Sequence, residues 1–144
     1  MRPEETIDHP IRWAWHRIMR LYNEQATAHG GSMSIGYVLL NIDPEGTPST
    51  KLGPKMGMEA RSLTRTLRKM EDQGLIERVP DGTDGRMARV RLTARGKEMR
   101  DVSRDTVVRF NKAVQARIPA KELEAFHKVM AKINLLLDDH DLFT

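Results

Sequence analysis

Apolar residues recur at three- and four-residue steps along the first third of the chain, which predicts amphipathic helices. The first predicted helix begins at a cap formed by Asp8 or His9, has Pro10 in its first turn, and ends near His29 before two glycines. A second, shorter apolar helix follows over residues 35–42, opened by a serine and stopped by an Asp-Pro-Glu-Gly turn. The N-terminal region is therefore expected to be helical.

The last third of the chain has the same helical period. Thr93 is placed to cap a long helix that continues to about Ile118, and Pro119 marks a break after it. The final helix carries an apolar seam formed by Leu123, Phe126, Met130, Ile133 and Leu137. Two long amphipathic helices are thus expected at the C-terminal end.

The middle of the chain begins with a short helix. Thr47-Pro48 has the form of a cap followed by a first-turn proline, and Met56-Gly57 has the form of a helix end. Pro54 falls inside this helix and removes one backbone hydrogen bond, so we expect the helix to be short or distorted.

Residues 59–73 show a sharper helical pattern. Leu63, Leu67 and Met70 share one face, and Gly74 ends the helix. The opposite face and its flanks carry cations and hydroxyl groups, namely Arg61, Ser62, Thr64, Arg65, Arg68 and Lys69. One side of this helix is expected to pack, and the other to present positive charge and hydrogen-bonding groups to a partner.

A β-hairpin is expected next. Residues 75–79 have strand-like content and end at Pro80, the Asp/Gly-rich residues 81–86 read as a turn, and residues 88–92 alternate apolar side chains with Arg89 and Arg91. Taken alone, this pattern is equally that of an ordinary solvated hairpin. After a short helix, a glycine turn and a cationic helix, it predicts a winged helix-turn-helix.

The basic residues are concentrated in the middle of the chain. Residues 51–100 carry 13 Lys or Arg against 7 Asp or Glu, whereas residues 1–50 carry 4 against 6 and residues 101–144 carry 7 of each. A basic segment between near-neutral flanks suggests binding to a polyanion, with nucleic acid favoured. A membrane surface is the alternative, but it would need bulkier apolar residues opposite the cations.

Other function classes find little support. The chain has no cysteine, no apolar run that would cross a membrane and no signal-peptide core, so we expect a soluble cytoplasmic protein. The five histidines are scattered, and no catalytic motif or phosphate loop is present; we expect no enzyme activity, catalytic residue, metal or cofactor. The run Asp138-Asp139-His140-Asp141 has ligands for a hard cation, but such a terminal run is more often a frayed acidic tail.

The basic region resembles the MarR family of winged helix-turn-helix transcription regulators. The residues that carry the resemblance are Leu52-Gly53-Pro54-Lys55-Met56-Gly57, Ser62-Leu63-Thr64-Arg65, Gly74-Leu75-Ile76-Glu77-Arg78, and Asp81-x-x-Asp84-x-Arg86 followed by Val90-Arg91-Leu92-Thr93-x-x-Gly96. The resemblance implies a mainly α fold with a small β-hairpin wing and N- and C-terminal helices for dimerisation. The whole chain would be one domain, with residues 32–92 binding DNA and residues 8–30 and 93–140 forming the dimer.

The resemblance also implies a mechanism. A homodimer would place residues 59–73 in the major groove of double-stranded DNA at a pseudo-palindromic operator, and would act as a transcription regulator, most simply a repressor. Arg86, steadied by Asp84, would reach the minor groove from the wing tip. The resemblance places Thr64 and Arg65 at positions that meet operator DNA in relatives, and helical geometry adds Arg61 and Arg68. On this interpretation Arg61, Ser62, Arg65 and Arg68 would read base edges, and the phosphates would be contacted by Lys55, Lys69, Arg89 and Arg91.

Two further interpretations concern regulation. His16 and Arg17 lie beside Trp13 and Trp15 on the first helix, and Trp13, His16, Arg17 and Tyr37 are candidates for a pocket that accepts an anion; ordinary helix packing is the alternative. The family resemblance implies that the effector would be a small lipophilic or phenolic anion that releases DNA. The competing function for the whole chain is an architectural DNA-binding protein without effector control.

Overall fold

The structure, a computed structural model, describes residues 1–82 and 84–143; the side chains of Asp81 and of residues 84–87 lie outside the described part. Contacts divide the chain into two compact units, Met1–Val107 and Val108–Thr144. The helices are α1 (Asp8–Ala28), α2 (Met33–Asn41), α3 (Ser49–Met56), α4 (Ala60–Asp72), α5 (Ala94–Gln115) and α6 (Ala120–Leu137), and the strands are β1 (Thr47–Pro48), β2 (Ile76–Asp81) and β3 (Asp84–Leu92). A single 3-10 turn, Pro3–Glu5, precedes α1.

Both predicted N-terminal helices are present, but the cap of α1 is Ile7, which makes no side-chain cap hydrogen bond, so the predicted cap at Asp8 or His9 is wrong. α1 begins at Asp8 and runs to Ala28, and the chain then turns at Gly30 with a φ of +78°. α2 begins after Ser32, whose side-chain oxygen accepts a hydrogen bond from the Ile35 N–H at 3.3 Å. This serine satisfies one of the N–H groups that a helix start leaves unpaired.

The expected cap at Thr47-Pro48 is wrong. These two residues form β1, which pairs antiparallel with β3 so that Thr47 lies opposite Val90. α3 starts one residue later and continues through Pro54 to Met56 before Gly57 ends it with a φ of +64°. Pro54 lies in the last turn and has no N–H to donate to the Thr50 carbonyl, so one intrahelical hydrogen bond is missing, as predicted; the helix is short but continues past Pro54 to Met56.

The hairpin is present and longer than predicted. β2 and β3 pair antiparallel from Ile76 opposite Leu92 to Asp81 opposite Asp84, so the strands extend into the predicted turn. The sheet order is β1-β3-β2. The mainly helical fold with a small antiparallel sheet confirms the predicted winged helix class.

The core of the first unit lies between α2, α3, α4 and the sheet. The buried apolar side chains are Ile35, Val38, Leu39, Ile42, Leu52, Met56, Leu63, Leu67, Met70, Leu75, Ile76 and Val90. Burial of this apolar surface fixes the helix-turn-helix and the root of the hairpin as one packed body.

The junction between α4, β2 and α5 explains the Leu-Thr-x-x-Gly pattern. The Thr93 N–H donates to the Leu75 carbonyl at 3.1 Å, and its hydroxyl donates to the Gly74 carbonyl at 2.5 Å. The same hydroxyl oxygen accepts from the Gly96 N–H at 3.1 Å, which confirms Thr93 as the cap of α5. Gly96 is buried, and a Cβ there would overlap the Leu75 carbonyl oxygen.

The second unit contains the end of α5 and all of α6. α6 begins after Pro119, as predicted, and within the described residues it buries none of its side chains. In the predicted apolar seam, Phe126 and Leu137 are 55% and 66% exposed, whereas Leu123, Met130 and Ile133 are partly buried. The described residues therefore cover this seam only in part.

Candidate nucleic-acid interface

α4 is built to present one face to solvent. Leu63, Leu67 and Met70 are buried at 4%, 3% and 0% exposure, which confirms the predicted packing face. The preceding turn is fixed by Gly57 in the left-handed region and by the Met58 N–H, which donates to the Gly53 carbonyl at 3.0 Å. α4 is therefore held by the turn that precedes it and by its buried apolar face. Its opposite face is exposed to solvent and can bind a ligand.

The outer face of α4 forms a cationic groove. Its lining residues are Glu59, Ala60, Arg61, Thr64, Arg65 and Arg68. Positions separated by three and four residues share a helix face, which brings the three guanidinium groups together. Within the described part of the chain, none of Arg61, Arg65 or Arg68 has an ion-pair partner, so their positive charge is available to an anion.

The hydroxyl groups of α4 differ in availability. The Thr64 hydroxyl donates to the Ala60 carbonyl at 2.8 Å, which leaves its oxygen to accept from a partner. Ser62 and Lys69 are exposed beside the groove. The structure therefore gathers all six α4 residues that the sequence singled out on or beside one exposed surface.

Two of the other predicted cations are already bound within the protein. Lys55 Nζ donates to the Asn41 carbonyl at 2.8 Å and to Asp43 Oδ1 at 3.1 Å. Arg89 Nη1 donates to the Gly46 carbonyl at 2.9 Å. Arg91, two residues along the same strand, is exposed. The three cations that the sequence treated alike thus have different surroundings.

The side chains at the tip of the wing lie outside the described part of the structure. The side chain of Arg86 and its expected pairing with Asp84 lie outside the described residues. The strand that carries them, β3, is anchored by pairing to both β1 and β2, so the root of the wing is held by hydrogen bonds on both sides.

An apolar cavity of about 270 Å³ lies in the first unit between α1, α2 and α5. Its lining residues are Trp15, Tyr22, Ala26, Ser32, Met33, Ile35, Gly36, Tyr37, Leu39, Leu40, Met99, Val102, Ser103, Thr106 and Val107. Burial raises the pKa of the Tyr22 phenol above its ordinary value. Among the described residues that line the cavity there is no Lys, Arg or His, which suits an uncharged ligand.

Of the four residues predicted for an effector pocket, only Tyr37 lines this cavity. Trp13, His16 and Arg17 do not, and Trp13 is 62% exposed with its ring stacked on His9 at 6.2 Å between centroids. The helical period explains the difference: Trp15 lies seven residues before Tyr22 and shares its face, whereas Trp13 points the opposite way. The apolar stripe of α1 therefore predicts that Trp15, and not Trp13, lies on the face that lines the cavity.

In the described part of the chain, no three His, Cys, Asp or Glu side chains are grouped to hold a metal ion. In the acidic run near the C-terminus, the Asp141 N–H donates to Asp139 Oδ1 at 3.0 Å, a local turn contact. Among the described residues, no helix combines the length and apolarity needed to span a membrane.

Comparison with known proteins gives a consistent result. The sequence model of the MarR family matches residues 39–87. An uncharacterised HTH-type transcriptional regulator of Bacillus subtilis, YdgJ, is 30% identical over 82 residues, which are 57% of this chain and 50% of that protein. The aligned region thus spans half the length of the curated relative.

Solved structures show the same fold. A MarR family transcription regulator superposes with a TM-score of 0.81 at 24% identity, covering 89% of this chain and 85% of that one. MepR of S. aureus in complex with DNA gives 0.81 at 16% identity, covering 89% and 96%. PcaV of Streptomyces coelicolor, in complex with its natural ligand, gives 0.75 at 21% identity, covering 93% and 95%. At these identities the likeness establishes the fold.

Proposed function

We propose that the chain is a transcription regulator of the MarR family of winged helix-turn-helix proteins, that it binds double-stranded DNA, and that it acts as a homodimeric repressor in the cytoplasm. The observation that carries the proposal is the groove on α4, where Arg61, Arg65 and Arg68 lie together without an acidic partner in the described residues. A helix with a buried apolar face and an exposed cationic face is suited to the major groove.

The proposed contacts follow from the side chains on α4 and the wing. Arginine binds guanine through two parallel hydrogen bonds, so Arg61, Arg65 and Arg68 are assigned to base edges. Ser62 and Thr64 are assigned to base edges or sugar oxygens nearby, and Lys69 and Arg91 to phosphates. Arg86 is assigned to the minor groove on the resemblance alone.

A homodimer is supported by apolar surface that the chain does not cover. α6 buries none of its side chains within the described chain, and α1 likewise has no buried residue. Residues 8–30 and 93–140 are therefore proposed as the dimerisation region, with residues 32–92 as the DNA-binding module. Two α4 helices related by a two-fold axis would read half-sites about 34 Å apart.

The apolar cavity supports control by a small molecule. An engineered cavity of about 150 Å³ with apolar walls binds benzene, so about 270 Å³ accommodates a larger aromatic ligand. An anion would lose its hydration without gaining a cationic partner among the described lining residues, and this argues against the anionic effector expected from the sequence. We infer a neutral, largely apolar effector; a protonated phenol meets this condition.

The competing function is an architectural protein with little sequence preference. The test is a selection of bound duplex fragments from the host genome, followed by titration of the selected duplex and a random duplex at one salt concentration. A regulator should prefer its site by about a thousandfold or more. Failure to enrich any inverted repeat, with equal affinity for both duplexes, would favour the architectural function.

The effector is tested with a matched pair of probes, 1-naphthol and 1-naphthoate, which share a ring system and differ in charge. The neutral probe should bind the protein and lower its affinity for the selected duplex. Binding of the naphthoate alone would contradict the inference of a neutral ligand.

A further inference from the structure

The segment that joins α2 to β1, residues 41–47, contacts both the helix-turn-helix and the wing, and we call it the 41–47 loop. We propose that this loop holds the two DNA-binding elements in register, with Lys55 and Arg89 as positioning residues and not phosphate contacts. The inference rests on the proposed DNA-binding function. It reassigns two of the cations that the sequence alone placed on the DNA backbone.

Lys55 caps α2 from a neighbouring helix. Asn41 is the last residue of α2, and Ile42 follows in an extended conformation with φ −85° and ψ +122°, so the helix has no left-handed cap of its own. Lys55 Nζ supplies the missing donor at 2.8 Å from the Asn41 carbonyl, at the negative end of the helix dipole. Its second bond, to Asp43 Oδ1 at 3.1 Å, ties α3 to the loop itself.

The loop is closed by its own hydrogen bonds. The Gly46 N–H donates to the Asp43 carbonyl at 2.8 Å, and the Asp43 N–H donates to Thr47 Oγ1 at 2.9 Å. The Thr47 hydroxyl in turn donates to Asp43 Oδ2 at 3.3 Å, and this residue is only 3% exposed. Asp43 therefore joins Lys55 on one carboxylate oxygen to β1 on the other.

Arg89 holds the wing against the same loop. Its Nη1 donates to the Gly46 carbonyl at 2.9 Å, and Gly46 has a φ of +94° that few other residues adopt. A Cβ at Gly46 would lie 2.8 Å from Arg91 Cγ and 2.9 Å from Arg89 Cγ, so both side chains pass directly over this glycine. Arg89 is part-buried by this contact, whereas Arg91 is exposed.

These contacts differ in kind from those of the α4 arginines. Moving Lys55 to a phosphate would remove its hydrogen bonds to the Asn41 carbonyl and to Asp43 Oδ1, and would cancel much of the free energy gained from the phosphate contact. A positioning residue affects DNA affinity by fixing geometry, and it releases no counterion when DNA binds. The dependence of affinity on salt therefore separates the two roles.

The first experiment compares Lys55→Gln, Lys55→Arg and Asp43→Asn on the duplex selected above. Both Lys55→Gln and Asp43→Asn should lower affinity by roughly two- to fivefold with the salt slope unchanged, and Lys55→Arg should restore most of it. If Lys55 contacts phosphate, Lys55→Gln should reduce the slope by about 1.8 for the two copies in a dimer. Asp43→Asn should then leave affinity equal or higher, because it removes a negative charge near the DNA. Either result would overturn the assignment of Lys55.

The second experiment uses Arg89→Gln with Arg91→Gln as its matched control, since the two arginines lie on one strand two residues apart. Arg89→Gln should lower affinity at a constant slope, and Arg91→Gln should reduce the slope by about 1.8. A reduced slope for Arg89→Gln, or no loss of affinity, would overturn the assignment of Arg89.

A third measurement does not depend on DNA and so separates this inference from the proposed function. Urea unfolding of Asp43→Asn, Lys55→Gln and the double variant is compared at one protein concentration. If Asp43 and Lys55 stabilise the loop through their mutual contact, the double variant should be no less stable than the less stable of the two single variants. Additive losses would contradict the contact, whatever the protein does with DNA. A different result is that the unaltered protein binds no duplex while the losses of unfolding free energy remain non-additive. That result would reject the proposed function and the positioning role, but the contact between Asp43 and Lys55 would still be established.

Discussion

Replacing Gly96 by alanine should destabilise the protein although alanine is the better helix former. Gly96 lies in the first turn of α5, where the exchange alone would stabilise the helix by about 1 kcal/mol. The added Cβ, however, would overlap the Leu75 carbonyl oxygen. That oxygen has little freedom to move, because it accepts the Thr93 N–H at 3.1 Å and Leu75 is itself buried.

The expected magnitude follows from these two opposing effects. Overpacking against fixed backbone costs about 3 kcal/mol, the upper part of the usual range. Subtracting the helix propensity leaves a net loss of about 2 kcal/mol, or a melting temperature lower by about 4–8 °C for a chain of this size. Urea unfolding and a thermal melt, both followed by circular dichroism at one protein concentration, measure the change.

A matched control is available at the next residue. Lys97 is exposed in the same turn of α5, so the difference between Lys97→Gly and Lys97→Ala reports the propensity of this turn without any overlap. If Gly96→Ala proves as stable as the unaltered protein, or gains the stability that the Lys97 pair predicts, the close approach of α5 to Leu75 is not as described and the reasoning fails.

Three further predictions concern DNA binding and pH. Arg65→Ala should lower affinity for the selected duplex more than for random duplex in parallel titrations; equal losses would make Arg65 a phosphate contact. Arg86→Ala should weaken binding to the selected duplex with little change in the urea midpoint, and unchanged binding at fixed salt would remove the wing tip from the mechanism. Because burial raises the pKa of Tyr22 above 10.0, its folding contribution is complete below that pH and is lost as the pH rises through the raised value. Tyr22→Phe should therefore flatten the loss of stability between neutral pH and about pH 11, and an identical loss in both proteins would contradict this.

The sequence predicted the helices well because each has strong local signals. Periodic apolar residues, the serine before α2, the threonine before α5 and the proline before α6 all act within a few residues of the helix start. β1 gave no such signal: a two-residue strand exists only because Thr47 meets Val90, more than 40 residues later. The expectation of a short helix around Pro54 is confirmed, and the helix continues two residues past this proline.

The site was predicted as far as helical geometry reaches. On α4 the period of the apolar face fixes the opposite face, so Arg61, Arg65 and Arg68 were placed correctly on one surface. Charge alone does not reveal partners that are distant in sequence, and for that reason Lys55 and Arg89 were assigned to phosphates in the same way as Arg91. Trp15 lines the apolar cavity and Trp13 does not, and the apolar stripe that Trp15 shares with Tyr22 on α1 already distinguished the two tryptophans.

The three arginines of α4 repel one another across adjacent turns in the free protein. Dissolved salt screens that repulsion, so raising the ionic strength should favour folding of the free chain. On the proposed function, the same salt competes with DNA for these arginines and weakens the complex. Bound DNA would therefore neutralise the positive charge of these arginines. It should raise the melting temperature of the protein most in dilute buffer, where few other anions compete for them.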